Sequence, residues 1–188
     1  MIAAVLLCAG GSTRFTGDGH KLLIPFLGRP LITWALGNAQ AAELDEVIVV
    51  VGPADLSSFI GAATMVTNPD WASGLSSSLG AGVREAAARG HETVVVGLGD
   101  QPFITPMIWN AVAKTDSPIA VANFDGQRTP PVRLARSVWG FLPTQGDLGA
   151  REVIRTHPDL VQEVRFGGSP VDIDTEADFL EWSRSRPD

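Results

Sequence analysis

The sequence predicts an α/β fold in which parallel strands alternate with crossover helices. Three observations predict it. The apolar run Ile2 to Cys8 stops at Ala9-Gly10-Gly11-Ser12, as a strand buried on both faces and feeding a loop should. Further strand-sized apolar runs recur at Val47–Val51, Thr64–Thr67 and Thr93–Val96. Helix-like stretches separate them, which is the order of repeated β-α-β units.

Taken along the chain, a helix is expected from about Pro30 to Leu44, and after the strand at 47–51 a weaker one near Asp55 to Ile60. Between Leu75 and Arg89 the small residues Ala81, Ala86, Ala87 and Ala88 favour a helix, with Ser76, Ser77 and Ser78 placed to cap it. The strand at 93–96 runs out through Gly97-Leu98-Gly99 onto Asp100-Gln101-Pro102. A helix from about Thr105 to Lys114, a strand around Ile119 to Asn123 and a turn at Asp125-Gly126 follow. Beyond them weak helices are read near Leu134–Phe141 and Gly149–Thr156, then strands at Val161–Phe166 and Val171–Ile173. The last helix is expected from Thr175 to Ser185, with Thr175 as cap and Glu176 and Asp178 in its first turn, where the helix dipole favours negative charge.

With 188 residues, 45% of them hydrophobic, the chain suits one compact domain over residues 1–188; no repeat or linker divides it. A charged fraction of 19% and a net charge of −7 give no basic footprint for nucleic acid. No apolar run approaches the ~20 residues that span a bilayer, so no membrane partner is expected. The single cysteine, Cys8, forms no internal disulfide, and the N-terminus leads directly into chemistry-bearing sequence, so a cytoplasmic location is expected.

The loop after the first strand, Leu7-Cys8-Ala9-Gly10-Gly11-Ser12-Thr13-Arg14 followed by Gly17, Gly19 and Lys21, has what triphosphate binding requires. Glycines let backbone amides approach phosphate oxygens, Arg14 offers a planar fork of donors, and Lys21 a compact charge. Only two of the fourteen basic residues are lysines, which sets Lys21 apart from surface filler. The loop fits neither the Walker A string nor the G-x-G-x-x-G dinucleotide fingerprint.

The string resembles the L-x-A-G-x-S-x-R…G…K signature of the molybdenum cofactor cytidylyltransferase and guanylyltransferase group. Further matches lie at Asn68-Pro69-Asp70-Trp71 with Gly74 and Ser77-Ser78-Leu79, at Asp100-Gln101-Pro102, at Gly146-Asp147-Leu148-Gly149-Ala150-Arg151, and at Asp172-Ile173-Asp174-Thr175 with Asp178. The resemblance implies a three-layer α/β/α Rossmann-like sandwich of the nucleotide-diphosphosugar transferase type, with one strand antiparallel to the rest. It also implies a magnesium-dependent nucleotidyltransferase that moves CMP from CTP to molybdopterin and releases pyrophosphate, serving a molybdoenzyme. Ala9 stands where cytidylyl members carry Ala and guanylyl members Gly, which favours CTP over GTP. Guanylyl transfer, another phosphorylated acceptor, and a non-catalytic cofactor carrier are the alternatives.

By the same resemblance Leu7, Ala9, Gly10, Gly11 and Ser12 wrap the triphosphate, Asn68, Gly74, Ser77 and Ser78 form the nucleobase segment, and Arg151 holds the acceptor's phosphate. The segment from Asn68 to Leu79 reads equally as a loop and serine-capped helix, and Arg151 as a solvated helix start. Asp100 ends a buried strand, where open α/β sheets place ligands, and a hard cation such as Mg²⁺ needs such oxygen donors. Asp172 and Asp174 flank Ile173 and share a face in extended geometry, so either is a partner for Asp100 on the metal. Arg14, Lys21 and Asp100 are thus the expected catalytic set, and no general base is required because the acceptor oxygen is already anionic. Trp71 is expected to cover the site, Cys8 and the other tryptophans to pack the core, and His20 to stay an exposed loop residue. Two departures from the group stand out: the stretch between Arg14 and Lys21 is longer, and Arg128-Thr129-Pro130-Pro131-Val132 replaces a Gly-His-Pro-type segment.

Overall fold

A computed structural model of the chain describes residues 1–12 and 19–168, together with Ile173, Asp178 and Glu181. Its first strand, β1 (Ile2–Cys8), is followed by a short hairpin of β2 (Pro25–Phe26) and β3 (Arg29–Pro30), then α1 (Leu31–Gln40), β4 (Glu46–Val51), α2 (Ser57–Ile60) and β5 (Thr64–Thr67). The second half carries α3 (Leu75–Ala88), β6 (Thr93–Leu98), α4 (Pro106–Ala113), β7 (Ile119–Phe124), β8 (Gln127–Ala135), α5 (Ala150–Thr156) and β9 (Val161–Phe166). Seven strands form one sheet in the order β5-β4-β1-β6-β8-β7-β9. All neighbouring pairs are parallel except those of β8, which runs antiparallel to both β6 and β7.

The pleat of β1 shows how the apolar run builds three layers. Ala4, Leu6 and Cys8 face one core with α1 and α4, including Leu31, Ala35 and Trp109. Ala3, Val5 and Leu7 face the other with α3 and α5, including Leu79, Val83 and Val153. The close approach of α3 to the sheet depends on Gly82, where an added Cβ would lie 2.4 Å from Val5 Cγ1. A mixed, mostly parallel sheet with helices on both faces is therefore the fold.

Several elements differ from the sequence-based expectation. The expected helix at Leu134–Phe141 is instead the end of β8, followed by a 3-10 helix over Arg136–Phe141. Pro130 and Pro131 mask that strand in the sequence, since proline gives the ladder no N–H. They are accommodated at a register shift: Val132 pairs with Val121 and Thr129 with Ala122, leaving the two prolines as the bulged residues. Ser76–Ser78 do not cap α3; its N-cap is Gly74, with no side-chain cap, and the serines lie inside the first turn. Helix α1 ends at Gln40, short of Leu44, and α2 is a single turn whose start is held by the Asp55 carboxylate, which accepts from Ser57 N (3.0 Å) and Oγ (2.6 Å). The strand expected at Val171–Ile173 and the helix at Thr175–Ser185 fall outside the described residues, apart from Ile173 and from Asp178 and Glu181, which are helical.

Candidate active site

The carboxyl ends of β1 and β6 open into a cleft of about 1110 Å³. This lies at the upper end of the ~300–1,000 Å³ of typical ligand sites. Leu7, Ala9, Gly10, Gly11, Ser12 and Lys21 line one wall. The local geometry is tight: a Cβ on Gly52, at the end of β4, would meet Ala9 O at 2.4 Å, and one on Gly99 would meet Cys8 Sγ at 2.5 Å. Only glycine at these positions lets three strand ends crowd beneath the loop.

The base of the loop is closed by specific bonds. Lys21 N donates to Ser12 Oγ at 3.0 Å, and Ser12 sits at φ +56°. His20 Nδ1 accepts from Leu22 N at 3.4 Å, and its Nε2 lies 2.7 Å from Gly10 O, which fixes Nε2 as the donor. His20, expected as an exposed loop residue, is therefore a half-buried clasp that ties Gly10 to the Lys21–Leu23 turn. Arg14 lies outside the described residues.

Lys21 Nζ contacts Asp100 Oδ2 at 2.6 Å, with both side chains largely buried at 13% and 18% exposure. The second oxygen, Asp100 Oδ1, is buried and has no hydrogen-bond partner among the described residues. A buried carboxylate oxygen with no donor is costly unless a cation or donor meets it, so Asp100 fits a hard divalent ion. Among the described residues no group of three His, Cys, Asp or Glu could hold a metal. Asp172 and Asp174 lie outside them. The residue between them, Ile173, is fully buried and donates its backbone N–H to Asp100 O at 3.1 Å.

The Asn68 and Gly146 segments are joined to each other. Ser76 N donates to Gly146 O (2.9 Å), Gly146 N to Ser73 O (3.0 Å) and Gly149 N to Ser76 Oγ (3.2 Å). Gly74, at φ +110°, has Gly146 O only 2.5 Å from where a Cβ would stand. Gly74, Ser78, Trp71 and Arg151 face the cleft. Asn68 and Ser77 stand behind its wall: the buried Asn68 Nδ2 donates to Ser77 Oγ (2.9 Å) and Ser78 Oγ (3.0 Å), and Asn68 Oδ1 accepts from Asp70 N (3.1 Å).

The cleft is also lined by residues that the sequence did not single out as a site. Arg128, Thr129 and Pro130 of β8 and Arg155 of α5 line it together with Arg151 and the apolar Val96, Val121, Val132 and Ile154. Arg128 donates from Nε to Glu163 Oε1 (2.6 Å), while Asn123 Nδ2 donates to Glu163 Oε2 (2.6 Å). Arg128 and Asn123 together hold the Glu163 carboxyl below its ordinary range. The signal was the antiparallel register of β8, hidden by the two prolines. Cys8 also borders the cleft, but burial and the nearby Asp100 charge push its thiol well above its ordinary value, so it packs instead of attacking. Trp109 is buried, Trp34 Nε1 donates to Phe26 O (2.8 Å) and Trp139 Nε1 to Leu134 O (3.0 Å), which makes these three structural; Trp182 lies outside the described residues.

Residues 4–161 match the family described as the MobA-like NTP transferase domain. The chain is 29% identical to the purine catabolism protein PucB of Bacillus subtilis (strain 168), over 95% of this chain and 94% of that protein. It is 32% identical to nicotine blue oxidoreductase of Paenarthrobacter nicotinovorans, over 85% of this chain and 84% of the relative. Two crystal structures of Rv0371c from Mycobacterium tuberculosis H37Rv, one a complex with manganese, superpose with TM-scores of 0.84 and 0.81 at 26% identity. They cover 98% of this chain and 98% and 99% of theirs. The chain belongs to the MobA-like NTP transferase family and is a nucleotidyltransferase of that family. Among the described residues no helix is long and apolar enough to cross a membrane.

Proposed function

We propose, with membership of the MobA-like family as premise, that this nucleotidyltransferase transfers CMP from CTP to molybdopterin, releases pyrophosphate, and supplies the product to a molybdoenzyme. The observation that carries this reading is the shared cleft. On the β1 and β6 side it is bordered by the glycine loop, Lys21 and Asp100, and on the β8 and α5 side by Arg128, Arg151 and Arg155, with the apolar Val96, Val121, Val132 and Ile154 also in its lining. A triphosphate fits the first side, where backbone amides and an ammonium neutralise its oxygens. A phosphorylated acceptor with an extended, weakly polar body fits the second, its phosphate met by guanidinium forks.

In this mechanism the chain positions and neutralises. The loop amides and Lys21 hold the β- and γ-phosphates, with Arg14 assigned to the same group from the sequence motif. The arginine wall orients an acceptor phosphate oxygen, already anionic, in line with the departing pyrophosphate. Asp100, with Asp172 or Asp174, would hold Mg²⁺, whose contribution when bound is to neutralise charge on the phosphates. The manganese complex of Rv0371c supports a divalent ion in this family.

The test is pyrophosphate release measured with each NTP, with and without molybdopterin. CTP with molybdopterin is expected to give the highest kcat/KM. Equal turnover without molybdopterin would discard that acceptor, and preference for GTP would discard the base. The likeness to nicotine blue oxidoreductase supports a second reading, a redox enzyme using the same cleft. The missing dinucleotide fingerprint weighs against it. Acceptor-dependent oxidation of a reduced nicotinamide dinucleotide, in the absence of any NTP turnover, would favour it.

A further inference from the structure

The Lys21–Asp100 pair joins the two groups that the proposed reaction assigns to different partners. Lys21 is needed on the triphosphate and Asp100 on the divalent ion, yet Nζ lies 2.6 Å from Oδ2, and both side chains are mostly buried. We propose that Lys21 and a divalent cation compete for the Asp100 carboxylate, and that an arriving triphosphate relieves this competition by drawing the lysine away. Cation and nucleotide then bind with positive coupling through one side chain. This rests on the metal reading above and adds the order in which the groups exchange.

The geometry supports competition over peaceful sharing. A divalent ion ligated at about 2.1 Å by either carboxylate oxygen would stand a few ångströms from the Lys21 ammonium. Burial leaves little solvent to screen the repulsion between them. The main chain of Lys21 is fixed by its N–H to Ser12 Oγ at 3.0 Å and by the His20 clasp, so the backbone stays in place while the four-carbon stem swings. Gly10 and Gly11 of the same loop border the same cleft as Lys21, and a triphosphate seated on their amides would offer the ammonium several anionic oxygens in exchange for one carboxylate. Oδ1, buried and without a partner among the described residues, is the atom on which the incoming cation gains most.

The experiment is titration with Mn²⁺ alone, followed by electron paramagnetic resonance, on the full chain and on Lys21→Met, Lys21→Arg, Asp100→Asn and the Lys21→Met/Asp100→Asn double variant, each checked for folding by circular dichroism. Lys21→Met is expected to tighten Mn²⁺ binding, by roughly five- to a hundredfold, the usual range of coupling between sites. Lys21→Arg, which keeps the charge, is expected to stay weak, and the gain should vanish in the double variant. In EDTA, Asp100→Asn should strengthen binding of CTP, and that gain should disappear in the Lys21→Met background. Unchanged or weaker Mn²⁺ binding by Lys21→Met would overturn the competition while leaving Asp100 as a metal ligand. Equal binding by Lys21→Met and the double variant would instead remove Asp100 from the metal site and take the underlying reading with it. If Lys21→Met does not fold, Lys21→Gln serves with the same expectations.

Discussion

The backbone N–H of Ile173 donates to the carbonyl oxygen of Asp100 at 3.1 Å, tying the far end of the chain to the turn after β6. Asp172 and Asp174 flank the donor in sequence. Asp100→Asn is expected to lower kcat by about a hundredfold to a thousandfold, the scale of losing one group that organises transition-state charge. At least one of Asp172→Asn and Asp174→Asn should follow it, with Mn²⁺ affinity falling in parallel. Wild-type turnover in both later variants would confine the metal to Asp100.

Gly74 links two segments of the cleft wall. Gly74→Ala places a methyl 2.5 Å from Gly146 O at φ +110°, so both backbone strain and a backbone clash oppose it. A loss of about 1–3 kcal/mol is expected in thermal or urea unfolding. The residues around Gly146, including cleft-lining Asp147 and Arg151, must shift, so kcat/KM should fall by more than stability alone explains.

Arg128 is positioned by Glu163, which Asn123 holds from its other oxygen. Arg128→Ala is expected to raise the acceptor KM roughly tenfold, as for one charge-assisted hydrogen bond on an exposed side chain, with the NTP KM unchanged. Glu163→Gln, which loosens the guanidinium without removing it, should give a smaller change in the same direction. An effect confined to the NTP KM would place Arg128 on the nucleotide.

At the opposite edge of the sheet Glu46 accepts from Arg89 Nε (2.6 Å), His91 Nε2 (2.8 Å) and Thr64 Oγ1 (2.7 Å). Arg89 foremost, then His91 and Thr64, outweigh burial and hold the carboxyl at about 2. A carboxylate depressed from about 4.3 in the unfolded chain contributes its full stability above that value. The contribution is lost as pH falls from about 4.3 to about 2. Glu46→Gln should therefore flatten this acid limb of the unfolding profile, and a limb identical to wild type would rule the cluster out as its source.

The Cys8 thiol, pushed up by burial and by Asp100, is expected to resist alkylation in the native chain and to react once the chain is unfolded. Rapid modification under native conditions, read by mass spectrometry, would contradict its assignment to packing.

Period and punctuation made most of the architecture legible. An apolar run of β1's length, buried on both faces, can be satisfied only between two helix layers, and the glycines that end it announce a loop at a strand's carboxyl edge. From that much, Leu7 to Ser12 and Asp100 could be placed near strand ends before any coordinates; Lys21, which lies past the loop in a 3-10 helix, and the grouping of all of them into one site were expectations from the resemblance. β8 escaped, since Pro130 and Pro131 remove the hydrogen-bonding signal of a strand and only pairing with β6 and β7 restores it. With β8 went the place of Arg128 in the cleft, although Arg151, which borders the same cleft, was already expected there from the Gly146–Arg151 match.

Residue types and spacing alone thus determined the layered α/β order and the glycine-rich loop that follows its first strand, because those depend on neighbours along the chain. Tertiary structure alone decided which groups touch. The Lys21 ammonium rests on Asp100, His20 clasps Gly10, Asn68 braces the serines from behind, and Glu163 aims Arg128. Such pairings join residues up to 79 positions apart, and no local pattern encodes a contact set by how a sheet twists, bulges and closes.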